Sequence, residues 1–157
     1  MEFSHLPVMP NECMKALRIR PDGVYVDGTL GGGGHSSLIL KNLSENGTLY
    51  AFDKDRDALG FCGEKFRNEK RIHLIHADFK EGAELLREQG ITEVDGVFLD
   101  LGVSSHQLDT FERGFSYRSK DAKLDMRMDQ SQTKSAYDVV NGYTAEKLTE
   151  IFTKYGE

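Results

Sequence analysis

The sequence predicts an α/β protein with a parallel sheet, and two observations support that prediction. Between residues 24 and 99, short runs of β-type residues alternate with segments of helical periodicity, a pattern typical of βαβ units. An acidic residue closes or follows each run, at Asp27, Asp53, Asp78 and Asp100. Right-handed crossovers bring the carboxyl ends of parallel strands to one edge, where open α/β sheets bind ligands. We therefore expect these acids to lie at a ligand site.

The individual elements follow from local patterns. Apolar residues at i, i+4 spacing, such as Ala58, Cys62 and Phe66, indicate helices, and Asn11 is the expected N-cap of the first one. The predicted helices cover residues 11–18, 35–43, 55–67 and 80–89, and the predicted strands cover residues 24–27, 48–52, 72–76 and 94–99.

The periodicity is lost after the fourth strand. Residues 101–131 predict an extended loop, which at this length is usually functional or disordered. Ser135 and Asp138 have the spacing of a capping box that opens a short helix. The chain then ends on a predicted amphipathic helix whose apolar positions are Leu148, Ile151, Phe152 and Tyr155. Because the sheet would have an open edge after four strands, we expect the chain to be a fragment.

Composition limits the function classes. The 157 residues suffice for one ordinary domain. No apolar run approaches the roughly 20 residues of a membrane span, and the N-terminus has no signal-peptide pattern. Cys13 and Cys62 have no paired spacing and are expected to be reduced thiols of a cytoplasmic protein. His73 and His76 would face opposite sides of a strand, so no metal site is expected.

A glycine-rich turn joins the first strand to the next helix. Residues 28–34 contain five glycines, which permit positive φ angles and a close approach of the backbone to a ligand. A phosphate-binding P-loop requires lysine where Gly34 stands. A dinucleotide fingerprint requires a third glycine where Ser36 stands. Neither of these two nucleotide motifs fits.

The acids beside this turn favour a cationic ligand. A carboxylate at Asp27 would repel a pyrophosphate, but it would attract the ammonium and sulfonium of S-adenosylmethionine. Asp53 is placed to accept hydrogen bonds from two ribose hydroxyls, a role that dinucleotide folds share. The sequence thus predicts a class I, Rossmann-like S-adenosylmethionine methyltransferase fold. An NAD-dependent Rossmann oxidoreductase and a truncated, non-catalytic binding module remain open as alternatives.

Further motifs resemble the ribosomal small subunit methyltransferase H family. The resemblance spans essentially the whole chain and rests on residues 5–9, 28–36, 100–109, 113–116, 124–129 and 155–157. It implies methylation of the N4 amine of a cytidine in 16S ribosomal RNA, in the decoding region of the small subunit, with S-adenosylmethionine as cofactor. His106 and Lys123 depart from prolines that many members of the family have, and neither removes a presumed ligand group.

The resemblance also implies roles for individual residues. Asp53 would hold the ribose, Phe79 would lie by the adenine, and the remaining cofactor contacts would come from Gly33, Gly34, His35, Asp100 and Gln107. Residues 1–109 would form a partial cofactor-binding core. Residues 110–157 would form a long loop and the start of a helical inserted domain thought to help bind RNA. Chains of the family are about twice as long, so we expect the isolated 157 residues to be inactive.

Two roles concern the RNA. Asp100 is the candidate catalytic residue, as the acceptor for a proton of the N4 amine; a role in cofactor contact alone is the alternative. The residues from Asp100 to Val103 match only partly the Asn/Asp-Pro-Pro-aromatic motif of many amino-methylating enzymes. The net charge of −6 argues mildly against a nucleic-acid partner, but residues 112–134 are locally basic. They carry four candidate phosphate contacts, Arg113, Arg118, Lys120 and Arg127.

Overall fold

A computed structural model describes residues 7–118 and 120–156 of the chain. The described strands form one parallel sheet in the order β3-β2-β1-β4. They are β1 (Val24–Asp27), β2 (Thr48–Asp53), β3 (Ile72–His76) and β4 (Gly96–Phe98). The helices that accompany them are α1 (Pro10–Leu17), α2 (Gly34–Asn42), α3 (Arg56–Lys65) and α4 (Gly82–Glu88). This arrangement confirms the predicted α/β, Rossmann-like fold class.

The sheet has an apolar layer on each face. Alternation along β1 directs Tyr25 to one side, with Ile39 and Leu49, and directs Val26 to the other, with Phe52 and Leu86. Burial of an aliphatic or aromatic side chain of this size contributes about 1.5–3 kcal/mol. These layers fix the twist and spacing of the strands, and so the positions of the residues that follow them.

The strand order locates the ligand edge of the sheet. β1 pairs with β2 on one side and with β4 on the other. The chain reverses its direction of travel across the sheet between β1 and β4, and open α/β sheets bind ligands at such a switch point. The glycine-rich turn leaves β1 at this point, which is where the sequence places the ligand.

Several predicted boundaries differ from the observed ones. α1 begins at Pro10 after Met9, which has left-handed backbone angles, so Asn11 lies inside the helix and is not its cap. β4 begins only at Gly96, because the Asp95 carboxylate accepts from the Val24 amide and the Arg20 guanidinium at the strand entrance. The fourth predicted helix is divided into a 3-10 turn, Phe79–Glu81, followed by α4.

Backbone contacts divide the chain into two compact units, Met1–Ser104 and Ser105–Glu157. The second unit contains α5 (Ser105–Asp109), a 3-10 turn (Phe111–Arg113), α6 (Ala136–Gly142) and α7 (Ala145–Tyr155). The expectation of an extended loop over residues 101–131 was wrong where α5 and the 3-10 turn form. The capping box of Ser135 and Asp138 is confirmed at the start of α6, as is the final helix.

No helix in the described part of the chain has the length and apolar character needed to cross a membrane. Within the same residues, no group of three or more histidine, cysteine, aspartate and glutamate side chains is arranged to hold a metal ion.

An arginine fastens the end of α2 to the entrance of β3. Arg71 Nη1 donates to the carbonyl oxygens of Leu40 (3.0 Å), in the last turn of α2, and Leu43 (2.6 Å), the residue that caps it. Arg71 Nε and Nη2 donate to the two carboxylate oxygens of Glu69. The hydrogen bonds from Arg71 lower the pKa of Glu69 to about 2. This pair therefore connects the sheet to the helix that follows the glycine-rich turn.

We predict that Glu69→Gln lowers the free energy of unfolding at pH 7 by about 1 kcal/mol, the size expected of a partly exposed pair. The pKa of Glu69 is depressed, so its stabilisation is present above the ordinary value of about 4.5 and is lost as the pH falls toward about 2. The difference between the variant and the wild type should shrink by about half between pH 5 and pH 3. Urea unfolding at these values measures it.

Glu64→Gln is the matched control, because Glu64, near the end of α3, forms an exposed i, i+3 pair with Arg67 just beyond the helix. Its removal should change the stability by less than about 0.5 kcal/mol at every pH. An equal effect of the two substitutions would contradict the role given to Glu69.

Candidate active site

The glycine-rich turn is closed by the carboxylate of Asp27. This side chain is fully buried and accepts hydrogen bonds from the Thr29 amide (3.0 Å) and the Ser36 hydroxyl (2.6 Å). It thus joins the end of β1 to the first turn of α2. Burial raises the pKa of Asp27, although both hydrogen bonds act against that shift. The sequence assigned Asp27 an electrostatic role toward a ligand, and the structure adds that the same carboxylate holds the turn together.

Asp53 at the end of β2 also contacts the turn. Its Oδ2 accepts from the Gly31 amide (2.8 Å), and its Oδ1 accepts from the Asp55 amide (2.8 Å). Burial raises the pKa of Asp53 too. The structure therefore brings Asp27 and Asp53 to the same turn, as the shared sheet edge predicts. Both carboxylates are oriented by backbone amides before any ligand is present.

The carbonyl oxygens of the turn are held from the opposite side by α3. Lys65 Nζ donates to the carbonyl oxygens of Gly32 (2.8 Å) and Gly33 (3.0 Å). Cys62 Sγ contacts the Gly31 carbonyl oxygen at 3.4 Å. Burial raises the pKa of the Cys62 thiol to about 12 and lowers the pKa of Lys65. Sequence reasoning missed both residues, because their partners in the turn lie more than 30 positions away in the chain.

His35 lies in the first turn of α2 and is almost completely buried. Its Nε2 is 2.9 Å from the carbonyl oxygen of Val8, and its ring lies 4.3 Å from the ring of Phe98 in β4. Its Nδ1 is 3.8 Å from Oδ2 of Asp100. The imidazole thus lies between Val8 on one side and Phe98 and Asp100 on the other.

Asp100 and Phe79 stand at the rim of the turn. The Asp100 amide donates to the Thr29 hydroxyl (2.7 Å), while its side chain is about half exposed (46%). Phe79 is also partly exposed. A Cβ added at Gly28 would come within 2.9 Å of the Phe79 Cβ and 2.4 Å of the Leu99 side chain. The missing side chain of Gly28 is what lets these two residues approach the turn.

The remaining predicted residues separate into two groups. Gly33 and Gly34 begin α2 within the turn, and Gly33 has a φ of +66°. Gln107 lies on α5 in the second unit, where it is buried. Six of the seven predicted cofactor residues therefore belong to the first unit, and Gln107 alone belongs to the second.

The loop cations of the second unit are not equivalent. Arg113 was expected among exposed phosphate contacts, but it is only 3% exposed, and its Nη2 donates to the carbonyl oxygens of Arg127 and Met128. Arg127 forms a two-pronged ion pair with Asp125. Both arginines stabilise the loop conformation. Of the four candidates, Arg118 and Lys120 are the exposed ones.

Comparison with known proteins identifies the family. A model of the MraW methylase family matches residues 2–157. The chain belongs to this family. Ribosomal RNA small subunit methyltransferase H of Clostridioides difficile strain 630 is 51% identical over 158 residues, covering 100% of this chain and 50% of the relative. Its counterpart in Oceanobacillus iheyensis is 52% identical over 156 residues, covering 99% and 48%. The resemblance stated from the sequence is confirmed.

The chain spans about half the length of the curated relatives it matches. Among solved structures, the chain is similar to TrmN from Thermus thermophilus with a TM-score of 0.50 and 22% identity, covering 69% of this chain and 31% of that one. A likeness at this identity supports the Rossmann-like fold of the MraW family member.

We predict that Gly33→Ala lowers the free energy of unfolding by about 2 kcal/mol or more. The positive φ costs an alanine about 1–2 kcal/mol. An added Cβ would also lie 2.7 Å from the Phe66 ring and 2.9 Å from Cys62 Sγ, and overpacking of this kind costs about 1–3 kcal/mol. Chemical denaturation of the variant beside the wild type measures the change.

Gly63→Ala is the matched control, because it adds the same methyl group where neither the backbone angle nor a neighbouring atom opposes it. Gly63 lies within α3, and an added Cβ there would meet nothing within 4 Å. Helix propensity should make this substitution neutral or stabilising by up to about 1 kcal/mol. A Gly33→Ala variant as stable as Gly63→Ala would show that the turn tolerates a side chain.

Proposed function

We propose that this chain carries the cofactor-binding part of an S-adenosylmethionine-dependent methyltransferase that acts in the cytoplasm. Its substrate is the N4 amine of a cytidine in 16S ribosomal RNA, in the decoding region of the small subunit. The observation that carries the proposal is the glycine-rich turn at the switch point, flanked by Asp27, Asp53 and Asp100 in a chain of the MraW methylase family. The names of the curated relatives support ribosomal RNA as the substrate.

The charges around the turn favour a cationic cofactor. The carboxylates of Asp53 and Asp100 lie at the turn and that of Asp27 is buried within it, while the Lys65 ammonium donates to its carbonyl oxygens. A pyrophosphate would meet repulsion there, whereas a sulfonium and an ammonium would be attracted. This arrangement argues against the NAD-dependent oxidoreductase, and methyl transfer agrees with the family.

The residues present fit S-adenosylmethionine. Asp53 would accept from the ribose hydroxyls, and Phe79 would lie by the adenine. Backbone groups of Gly33, Gly34 and His35, together with Asp100, would hold the rest of the molecule. The cofactor contact that the family resemblance implies for Gln107 stays a prediction. When bound, the cofactor supplies a methyl group already activated on a sulfonium, so the protein's task is to position the amine for in-line attack.

We assign to Asp100 the role of accepting the proton from the N4 amine. Its backbone is fixed by the Thr29 hydroxyl, and its half-exposed carboxylate can reach a substrate that approaches the turn. A carboxylate that accepts a hydrogen bond from N4–H raises the electron density on nitrogen and takes the proton once the new bond forms. Asp27 is fully buried and hydrogen-bonded within the turn, which leaves this role to Asp100.

Cofactor identity can be tested by calorimetric titration of S-adenosylhomocysteine and NAD, in protein of the length of the curated relatives. We predict binding of S-adenosylhomocysteine and none of NAD. Asp53→Asn should weaken that binding by about 10-fold or more, because charge-assisted hydrogen bonds contribute about 1.5–3 kcal/mol. Glu64→Gln on the exposed surface of α3 is the control and should bind like the wild type. Preference for NAD would contradict the proposal.

The substrate can be tested by incubating small ribosomal subunits with the full-length protein and labelled S-adenosylmethionine, then digesting the 16S RNA and analysing its nucleosides by mass spectrometry. We predict N4-methylcytidine from the decoding region, and a loss of turnover of about 100-fold or more in Asp100→Asn. The 157 residues alone should give no product, because the relatives are about twice as long. Label on a carbon atom of the base, or clear turnover by the 157 residues, would contradict these statements.

A further inference from the structure

The strongest unassigned feature is the contact between His35 and Asp100. Two groups orient the buried imidazole, because the Val8 carbonyl oxygen lies 2.9 Å from Nε2 and the Phe98 ring packs against the ring. Pro7 packs close to Gly34: a Cβ added to Gly34 would lie 3.3 Å from the Pro7 Cβ. Val8 and Phe98 thus hold the ring with Nδ1 toward Asp100.

The partner of Nε2 decides which nitrogen carries the proton. A carbonyl oxygen can only accept, so Nε2 must be the donor in the Val8 contact. In a neutral imidazole Nδ1 then has a lone pair and no hydrogen. That lone pair would face the carboxylate oxygen of Asp100 at 3.8 Å. The two groups attract one another only when one extra proton lies on one of them.

We propose that His35 and Asp100 form a proton-accepting pair, in which Asp100 takes the proton that leaves the substrate amine and His35 Nδ1 receives it. The proposal rests on the proposed function and adds a second residue to it. Asp100 touches the reacting amine in this account, so it is the catalytic residue. His35 acts through Asp100, and the Val8 carbonyl oxygen keeps it oriented.

Methyl transfer to N4 forms one bond, breaks one bond and releases one proton. The N4 lone pair forms the bond to the methyl carbon, and the carbon–sulfur bond breaks with its electron pair on sulfur, which gives a neutral thioether. The amine nitrogen loses its positive charge by giving one proton to the Asp100 carboxylate. That proton passes to His35 Nδ1 after the half-exposed carboxylate rotates to close the 3.8 Å gap. The imidazolium later returns it to water.

Three other titratable groups lie on His35 or on the backbone next to it. Asp27 at the end of β1 is close enough for the imidazole to act on its pKa, which burial nevertheless raises. On α1, the Cys13 thiol contacts the same Val8 carbonyl oxygen at 3.7 Å. Behind the turn, Lys65 holds the Gly33 carbonyl oxygen. Asp27 already accepts from Thr29 and Ser36, so Asp100 is the carboxylate we assign to the extra proton.

Long-range proton–nitrogen NMR of ¹⁵N-labelled histidine rings tests the pair without substrate or cofactor. We expect the neutral His35 ring to carry its proton on Nε2, and its Nδ1 signal to move in Asp100→Asn. Asp27→Asn should move the Nδ1 signal less, and the signals of His76, on the far strand of the sheet, should stay in place. A neutral ring protonated on Nδ1 would overturn the proposal. So would a larger effect of Asp27→Asn than of Asp100→Asn.

A second test measures the methyltransferase kinetics of a His35 variant. His35→Gln places an amide donor near the Val8 carbonyl oxygen but has no group to accept a proton at the position of Nδ1. In the full-length protein we expect kcat to fall about 10- to 100-fold, with KM for S-adenosylmethionine within about 3-fold. His73→Gln on β3 is the control and should keep wild-type kcat. An unchanged kcat in His35→Gln would overturn the pair. If the wild type transferred no methyl group to N4, the proposed function would fail. The NMR experiment would still show whether His35 and Asp100 interact.

Discussion

The buried carboxylate of Asp27 is the interaction on which the rest of the site depends. It is an ionisable group with no access to solvent, and a buried acid of this kind is tolerated only where hydrogen bonds compensate the lost hydration. The compensation comes from Thr29 and Ser36, which lie on the two sides of the glycine-rich turn. Hydrogen bonding to this one buried acid therefore restrains the backbone of the turn between Thr29 and Ser36 at the carboxyl end of β1.

That path is supported from two directions. Asp53 holds the Gly31 amide, and Lys65 holds the carbonyl oxygens of Gly32 and Gly33. Each contact involves a charged partner, which makes it stronger than a neutral hydrogen bond. A turn rich in glycine would otherwise lose much conformational entropy on ordering. Because this cost is met by contacts within the protein, a ligand does not have to order the turn when it binds.

The sequence predicted those parts of the molecule that depend on local periodicity. The strand–helix alternation and the acids at strand ends follow from patterns a few residues long, and so does the convergence of Asp27 and Asp53. The hydrogen bonds from Lys65 to the turn were missed because Lys65 is separated in the chain by 33 positions from Gly32 and by 32 positions from Gly33. Arg113 was misjudged because its charge suggested exposure, whereas the carbonyl oxygens of Arg127 and Met128 hold it inside the loop. Long-range partners of polar groups leave no periodic trace in the sequence.

Asp27 and Asp100 both contact Thr29, the first through the Thr29 amide and the second through its hydroxyl, yet the two acids have different roles in the site. Asp27 is buried, its pKa is raised, and its oxygens are engaged by the turn. Asp100 has its backbone fixed by the Thr29 hydroxyl, but its carboxylate is half exposed beside an oriented imidazole. Environment assigns roles to paired carboxylates when it separates their proton affinities and access. By that reasoning Asp27 shapes the site, and Asp100 is the acid that remains free to meet a substrate.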